Sequence, residues 1–278
     1  MTASRTSPLP TAPSGRGMAV HVIHMARSTA RRAIMTAEFD GVGLTPTDWA
    51  ACDASLPQEA ARIAALPDTG PWGRLTGHAK GCLLSHLDAM DRFLASDARH
   101  ALLVEDDVHL ADDLGNWADP SDWWPADADV VKFERWRDDR LKVLLDTTGP
   151  HHAGRDLRRL RSRHSGTGGY VVSRKGAARI LAHRPRNMPI DHLLFNMGAS
   201  ALARSLVTYQ VTPALIVQGN DPETQAAVPA PSPRRTRPVA TRISRGLAEL
   251  RILRDLPRLL TGRSRLQSIC WQARAIPD

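Results

Sequence analysis

Cysteine is scarce in this chain: Cys52, Cys82 and Cys270 are the only three in 278 residues, widely spaced and without a Cys-x-x-Cys pair. That excludes a disulfide framework or a zinc ribbon, and it suits reduced thiols in a reducing compartment. No apolar run approaches the roughly 20 residues that a membrane-spanning helix needs. The N-terminus also lacks the apolar stretch of a secretion signal. A cytoplasmic protein is expected, either soluble or held peripherally on the cytoplasmic face of the inner membrane. The GxxxxGK[ST] spacing of a phosphate-binding P-loop is missing, because the glycines at 166, 168 and 169 precede a strand instead of following one. No long internal repeat is present, which removes the solenoid folds.

What is present describes a folded domain with an unusual end. Hydrophobic residues make up 42% of the chain and charged residues 24%, enough apolar material for one large domain or one domain with an appendage. The net charge of +8 is unevenly placed. Residues 231–278 hold eleven arginines against three acids, and residues 1–230 balance at 26 basic against 26 acidic. Three regions are expected: residues 1–17, rich in Thr, Ser, Pro and Gly and disordered; a domain over 18–225; and an Arg-rich tail over 226–278. In the tail, Leu250, Leu253, Leu256 and Leu260 can share a helical face with Arg251, Arg254 and Arg258 opposite, the pattern of an interfacial helix on an anionic membrane surface. Pro257 would kink such a helix, and a solvated tail is the plainer alternative. Nucleic acid, were it a partner, would meet this tail, so a nucleic-acid-binding protein is the alternative from outside the enzymes.

The domain itself alternates strands and helices, which indicates an α/β fold. Residues 19–25 read as a strand, followed by a helix through Arg31, Met35 and Phe39 with Ser28 or Thr29 as its cap. Residues 47–53 hold a short strand. Leu83, Leu87, Met90 and Leu94 recur as one face of a helix, with His86 beside that stripe and read by itself as a structural histidine. Residues 101–104 are four apolar residues in a row, a strand buried on both faces, and they run straight into Glu105, Asp106 and Asp107. Ligands of open α/β sheets bind outside the carboxyl ends of strands, so these acids either gather a hard divalent cation or form a solvated turn. Residues 129–134 form a second strand ending in an acid, Glu134. Residues 155–163 are strongly basic and read as a surface loop or helix. Trp117, Trp123 and Trp124 lie in the intervening loop and read first as core, with stacking on a sugar ring the functional alternative. Ser173 caps a helix through Ala177 and Ile180, Asp191 lies at or near the N-cap of another, and residues 206–217 read as a strand interrupted by Pro213.

Several of these stretches fall in an order that resembles glycosyltransferase family 25. They are Val22-Ile23-His24-Met25-Ala26-Arg27-Ser28 with Arg31, Gly81-Cys82-Leu83-Leu84-Ser85-His86, Val104-Glu105-Asp106-Asp107-Val108, Gly166-Thr167-Gly168-Gly169-Tyr170-Val171-Val172-Ser173, Pro189-Ile190-Asp191 and Pro213-Ala214-Leu215. The resemblance spans about residues 20–220. It departs at Ala79, where the family commonly has Glu, and at His24, where Asn or Ser is common. It implies a GT-A-like nucleotide-sugar-binding fold, a Rossmann-like sheet flanked by helices. It also implies a hexosyltransferase that uses a UDP-sugar, most simply UDP-galactose, and acts on a lipopolysaccharide, lipooligosaccharide or related lipid-linked glycan acceptor.

On that resemblance Glu105, Asp106 and Asp107 take the place of the acidic element that binds Mn²⁺ (or Mg²⁺) and the donor diphosphate. Asp106 and Asp107 are then the metal ligands, with Glu105 on the nucleotide side. His24, Arg27 and Arg31 lie where the first strand meets the nucleotide. Sugar transfer builds negative charge on the departing diphosphate, which a divalent cation stabilises. Inversion at the anomeric carbon also needs a general base to deprotonate the acceptor hydroxyl. Asp191 is the first candidate for that base and Glu134 the second. A phosphoesterase would also use clustered acids, but the further His and Asp ligands of a two-metal centre are not apparent. A catalytically inactive glycosyltransferase-like fold is the remaining alternative.

Overall fold

The computed structural model describes residues 17–136, 141–219 and 239–274. The expected disordered stretch 1–17, apart from Gly17, and the first part of the expected tail, 226–238, lie outside them. In chain order the N-terminal half comprises β1 (Ala19–His24), α1 (Thr29–Gly41), β2 (Thr47–Ala50), α2 (Ala60–Ala64), β3 (Thr69–Gly70), β4 (Gly73–Arg74), α3 (Gly77–Leu94), β5 (His100–Glu105) and β6 (Val108–Leu110). The middle comprises β7 (Val130–Lys132), β8 (Glu134–Arg135), β9 (Lys142–Asp146), β10 (His151–His152), β11 (Arg155–Arg159), β12 (Gly169–Ser173), α4 (Arg174–Ala182), α5 (Ile190–Phe195) and α6 (Ala201–Ser205). The C-terminal part comprises β13 (Thr208–Thr212), β14 (Ile216–Gln218), α7 (Val239–Leu250), α8 (Leu256–Leu260) and β15 (Ser264–Ser268).

Eight strands form a mixed sheet in the order β10-β11-β13-β7-β12-β5-β1-β2. β5 lies inside it, parallel to β1 and antiparallel to β12. Its side chains alternate between two cores: Ala101 and Leu103 pack with α3 residues Leu83, Leu87 and Met90, whereas Leu102 and Val104 pack with Met35 and Phe39 of α1. All four are fully buried, so the continuous apolar run is explained by a strand covered on both faces. Burial of Leu102, Leu103 and Val104 contributes about 1.5–3 kcal/mol each relative to exposure. Since β7 and β13 are parallel to one another and β12 is antiparallel to both β5 and β7, the C-terminal ends of β1, β5, β7 and β13 share one edge with the start of β12. A smaller sheet, β6-β14-β8, continues from that edge.

Helix α3 starts at Thr76, whose hydroxyl accepts from Ala79 N at 3.2 Å. Its buried face includes His86, which is fully enclosed. The histidine therefore sits on the apolar stripe, three residues after Leu83 and four before Met90, and not beside it as expected. Ser173 caps α4 through Gly176 N as expected. Trp117 and Trp123 are core residues packed on Phe133, and Trp124 packs against His100 in a tilted arrangement. The expected strand over 206–217 divides at Pro213: β13 joins the large sheet and β14 the small one.

The basic segment 155–163 is the clearest correction. Residues Arg155–Arg159 form β11 within the main sheet, and Arg155 is fully buried. Its guanidinium pairs with both carboxylate oxygens of Asp113, at 2.9 and 2.5 Å, and spends its other donors on the carbonyls of Pro213, Ala214 and Gln272. Five donors in a fixed fork make Arg the side chain suited to such a junction. β15 pairs antiparallel with β9, and Asp146 on β9 gathers Arg161, Arg258 and Ser264. Residues 264–274 are thus knitted into the body, with Ala214 N bonded to Cys270 O at 2.8 Å.

Candidate active site

The shared sheet edge carries a connected set of polar side chains. Glu105, the last residue of β5, accepts from the Thr167 hydroxyl at 2.6 Å and from His86 Nε2 at 3.1 Å. An ionised carboxylate only accepts, so Nε2 carries the proton; in the neutral ring Nδ1 then accepts from the Tyr170 hydroxyl, 2.9 Å away. Burial pushes the Glu105 carboxyl up, yet His86, Thr167 and the Lys132 ammonium together outweigh it and hold the group below its ordinary value. Glu105 is consequently ionised although half-buried.

The sequence motifs acquire physical causes here. A Cβ on Gly81 would stand 2.8 Å from Cys52 O, so only glycine lets α3 approach that loop, where Ser85 Oγ accepts from Cys52 N at 2.8 Å. One turn along, Cys82 and His86 then face Glu105. Gly166 has φ +81°, and a Cβ there would lie 2.3 Å from Glu134 Oε1, which excludes any side chain. The glycine-rich stretch is therefore a close backbone approach to a buried acid.

That acid is Glu134. It is fully enclosed, 3.0 Å from Lys132 Nζ, and it accepts from Gly168 N at 3.0 Å. Burial raises its carboxyl to about 7, against the opposing charge of Lys132. Lys132 also donates to the carbonyls of Ser165 and Gly166, at 2.6 and 2.5 Å, and so holds the glycine loop from beneath. Burial pushes the lysine down from its ordinary value. Asp191, in the first turn of α5, lies on the far side of that loop, with Gly166 N 3.5 Å from its Oδ2. It is half-buried, whereas Glu134 is sealed. Beside it His192 packs against Trp72, tilted, at 4.4 Å between centroids, and burial lowers this imidazole to about 4, leaving it neutral. Arg245 of α7 lies 4.2 Å from the centre of the same tryptophan ring, so the C-terminal segment forms part of this wall.

The residues expected around the nucleotide are only partly assembled. Arg31 pairs with Asp106 at 2.8 Å, and Met25 N approaches the same carboxylate at 3.4 Å, which ties the acidic turn to the end of β1. His24 is buried, with Nδ1 3.3 Å from Met25 O and Nε2 4.0 Å from Asp48. Arg27 is exposed and pairs with Asp53 after β2, away from the acidic turn. Asp107 is half-buried on that turn, and its carbonyl accepts from Gly219 N at 2.7 Å. Lys132, Thr167 and Tyr170 were not singled out from sequence. Lys132 leaves a legible signal, since a lysine two residues from a glutamate in an apolar strand places two charges on one buried face.

Among the described residues, one group of three ligand-type side chains lies within 4.8 Å: Cys82, His86 and Glu105. Both nitrogens of His86 are engaged, and burial holds the Cys82 thiol well above its ordinary value. A hard cation takes oxygen donors, so this trio is a hydrogen-bonded network and not a Mn²⁺ site. The oxygen donors at the crevice belong to the acidic turn. Asp106 pairs with Arg31, and Asp107 follows it half-buried on the same turn; a hard ion is held by one or two such carboxylates together with a ligand's phosphates.

The profile of glycosyltransferase family 25 (LPS biosynthesis protein) matches residues 18–194. The lacto-N-neotetraose biosynthesis glycosyltransferase LgtB of Neisseria gonorrhoeae is 29% identical over 210 residues, which cover 71% of this chain and 73% of that one. The lipooligosaccharide biosynthesis protein lex-1 of Haemophilus influenzae is 27% identical over 155 residues, covering 52% of this chain and 50% of that protein. Among solved structures, a glycosyltransferase involved in the glycosylation of the major capsid of PBCV-1 aligns with a TM-score of 0.38 at 9% identity, over 74% of this chain and 96% of that one. A likeness that weak carries no argument about this site.

Proposed function

The chain belongs to glycosyltransferase family 25, and we propose that it is a metal-dependent, inverting hexosyltransferase moving galactose from UDP-galactose to a lipopolysaccharide, lipooligosaccharide or related surface glycan. The relatives' roles in lacto-N-neotetraose and lipooligosaccharide biosynthesis support the substrate class. The observation that carries the mechanism is the placing of Glu105, at the head of the acidic turn, and Asp191 against one glycine loop at the edge where the strands β1, β5, β7 and β13 end. We place the enzyme in the cytoplasm, in keeping with three unpaired cysteines. No helix among the described residues is long and apolar enough to cross a membrane.

In this reading Asp107, with Asp106 behind it, holds Mn²⁺ or Mg²⁺, and the ion when bound neutralises charge on the leaving diphosphate. Arg31 orients Asp106 and so the turn, and His24 closes the nucleotide side at the end of β1. Arg27, held at Asp53, forms the outer rim. Glu105 is kept ionised and fixed by Thr167 and His86, so it accepts from nucleotide or sugar hydroxyls without rotating. Asp191 takes the proton of the acceptor hydroxyl. It is preferred to Glu134 because the latter is sealed behind the loop and paired with Lys132. Glu134 then acts through Gly166 and Gly168, setting the loop that faces Asp191.

The test is UDP release by the purified protein across a panel of UDP-sugars, with Mn²⁺ or with chelator, beside Asp107→Asn. Turnover of UDP-galactose that needs metal and is lost in the variant supports the reading in full. Turnover of another donor corrects the sugar, and turnover indifferent to chelator removes the metal.

A further inference from the structure

The C-terminal segment carries two surfaces that sugar transfer does not use. Ile243, Leu247, Leu250, Leu253 and Leu260 are each more than half exposed, Leu260 at 77%. Their spacing sets the first three along one side of α7, away from Ala248, which is buried against the body. Leu253 and Leu256 continue that ridge to a small apolar pocket of ≈ 120 Å³, which Leu144 and Leu266 complete. Contiguous exposed apolar side chains of this kind mark interaction surfaces.

Beside the ridge, a cleft of ≈ 280 Å³ opens between this segment and strands β9 and β11. Seven cations line it against two acids, Glu249 and Asp255. Arg159, Arg161 and Arg163 are answered by Asp127, Asp146 and Glu249. Arg204, Arg251 and Arg254 form no ion pair among the described residues; the first two donate instead to the carbonyls of Met197 and Gly198. Burial and then the charges of Arg251 and Arg254 lower the Arg204 guanidinium from its ordinary value. Such crowding of like charge is relieved by an anion. The cleft and the apolar pocket meet at Asp255, which lines both.

We propose that this face docks the protein on an anionic membrane surface, with the leucine ridge entering the headgroup layer and the cleft of Arg204, Arg251 and Arg254 receiving lipid phosphate groups. The charge excess selects an anionic surface, and the adjoining ridge selects one with an apolar interior over a soluble anion or a nucleic acid. The arrangement differs from an ordinary amphipathic tail. Arg258, paired with Asp146, and Arg245, over the Trp72 ring, hold the segment against the body, which leaves the leucines outermost. The proposal does not depend on the identity of the donor or acceptor.

Flotation of the full chain with phosphatidylglycerol-containing and pure phosphatidylcholine vesicles tests it. Binding is expected to the first and not to the second, and it should weaken about tenfold or more in Leu247→Ser/Leu250→Ser and in Arg204→Ser/Arg254→Ser. Circular dichroism and UDP release in solution should stay at the level of the parent protein in both variants, which separates this proposal from the fate of the transferase reading. Failure to bind anionic vesicles, equal binding to both kinds, or binding indifferent to the leucines overturns it. So does binding of pyrophosphate or duplex DNA that is as tight as vesicle binding and lost only with the arginines.

Discussion

Two networks of buried charge in this fold obey opposite rules. At the candidate active site Glu105, Glu134 and Asp191 surround one ammonium, Lys132, and the groups are pushed apart: burial raises Glu134 to about 7, while Glu105 is held below its ordinary value. At the junction of β11 with the C-terminal segment each enclosed charge meets a partner of opposite sign. Arg155 takes Asp113 with two bonds and three carbonyls with the rest, and Asp146 takes Arg161, Arg258 and Ser264. Burial pushes Asp146 up as well, but these partners prevail and hold it below its ordinary value. An excess of acid around an enclosed lysine spreads proton affinities and suits chemistry; a balanced network fixes the chain.

The largest effect that would sharpen this contrast is expected at Asp191. Asp191→Asn should lower kcat by about 10²–10⁴-fold, the range for removing a general base, with the urea midpoint unchanged; an active variant would move the base elsewhere. Next is Arg155→Met, which leaves Asp113 enclosed and should cost about 3–5 kcal/mol of stability. Urea unfolding checks it, and a loss below about 1 kcal/mol would mean that the junction is not the clamp described.

A smaller effect concerns pH. Glu134 has a folded value near 7 against an ordinary 4.5, so between those values the folded state binds more protons than the unfolded one. Its contribution is therefore present in full below pH 4.5 and is lost as pH rises through about 7. Glu134→Gln should remove that fall, measured as urea midpoints at pH 5 and pH 8; parallel curves for variant and parent would contradict it. The smallest change is Tyr170→Phe, which strands His86 Nδ1 inside the core and should cost about 1–2 kcal/mol, read from thermal unfolding with little change in KM. A larger fall in kcat than in stability would give the Tyr170–His86–Glu105 relay more than a supporting part.

Much of the fold was legible because its signals are local. The run 101–104 declared a strand buried on both faces, Ser173 declared a cap, and the glycines at 166–169 declared a close approach. His86 was misplaced by a turn's phase, since a polar residue on an apolar stripe is discounted when its partners, Glu105 and Tyr170, are 19 and 84 residues away. Arg155 was misread for the same reason. A cluster of arginines looks solvated until Asp113, 42 residues earlier, and Gln272, 117 later, are brought to it.

The sequence by itself determined the alternation of strands and helices, the apolar faces, and the gathering of acids after β5, because side-chain period and turn chemistry act over a few residues. Only the tertiary structure decided which acids are paired, which sealed and which half-open. Strand order brings Arg31 to Asp106 and seals Glu134 behind Gly166, while Asp191 stands half-open on the other side of the loop. It also decided that the tail's leucines face outward while Arg245 and Arg258 turn to the body. Pairings across such separations follow from packing a sheet between two cores, and no window of the chain contains both partners.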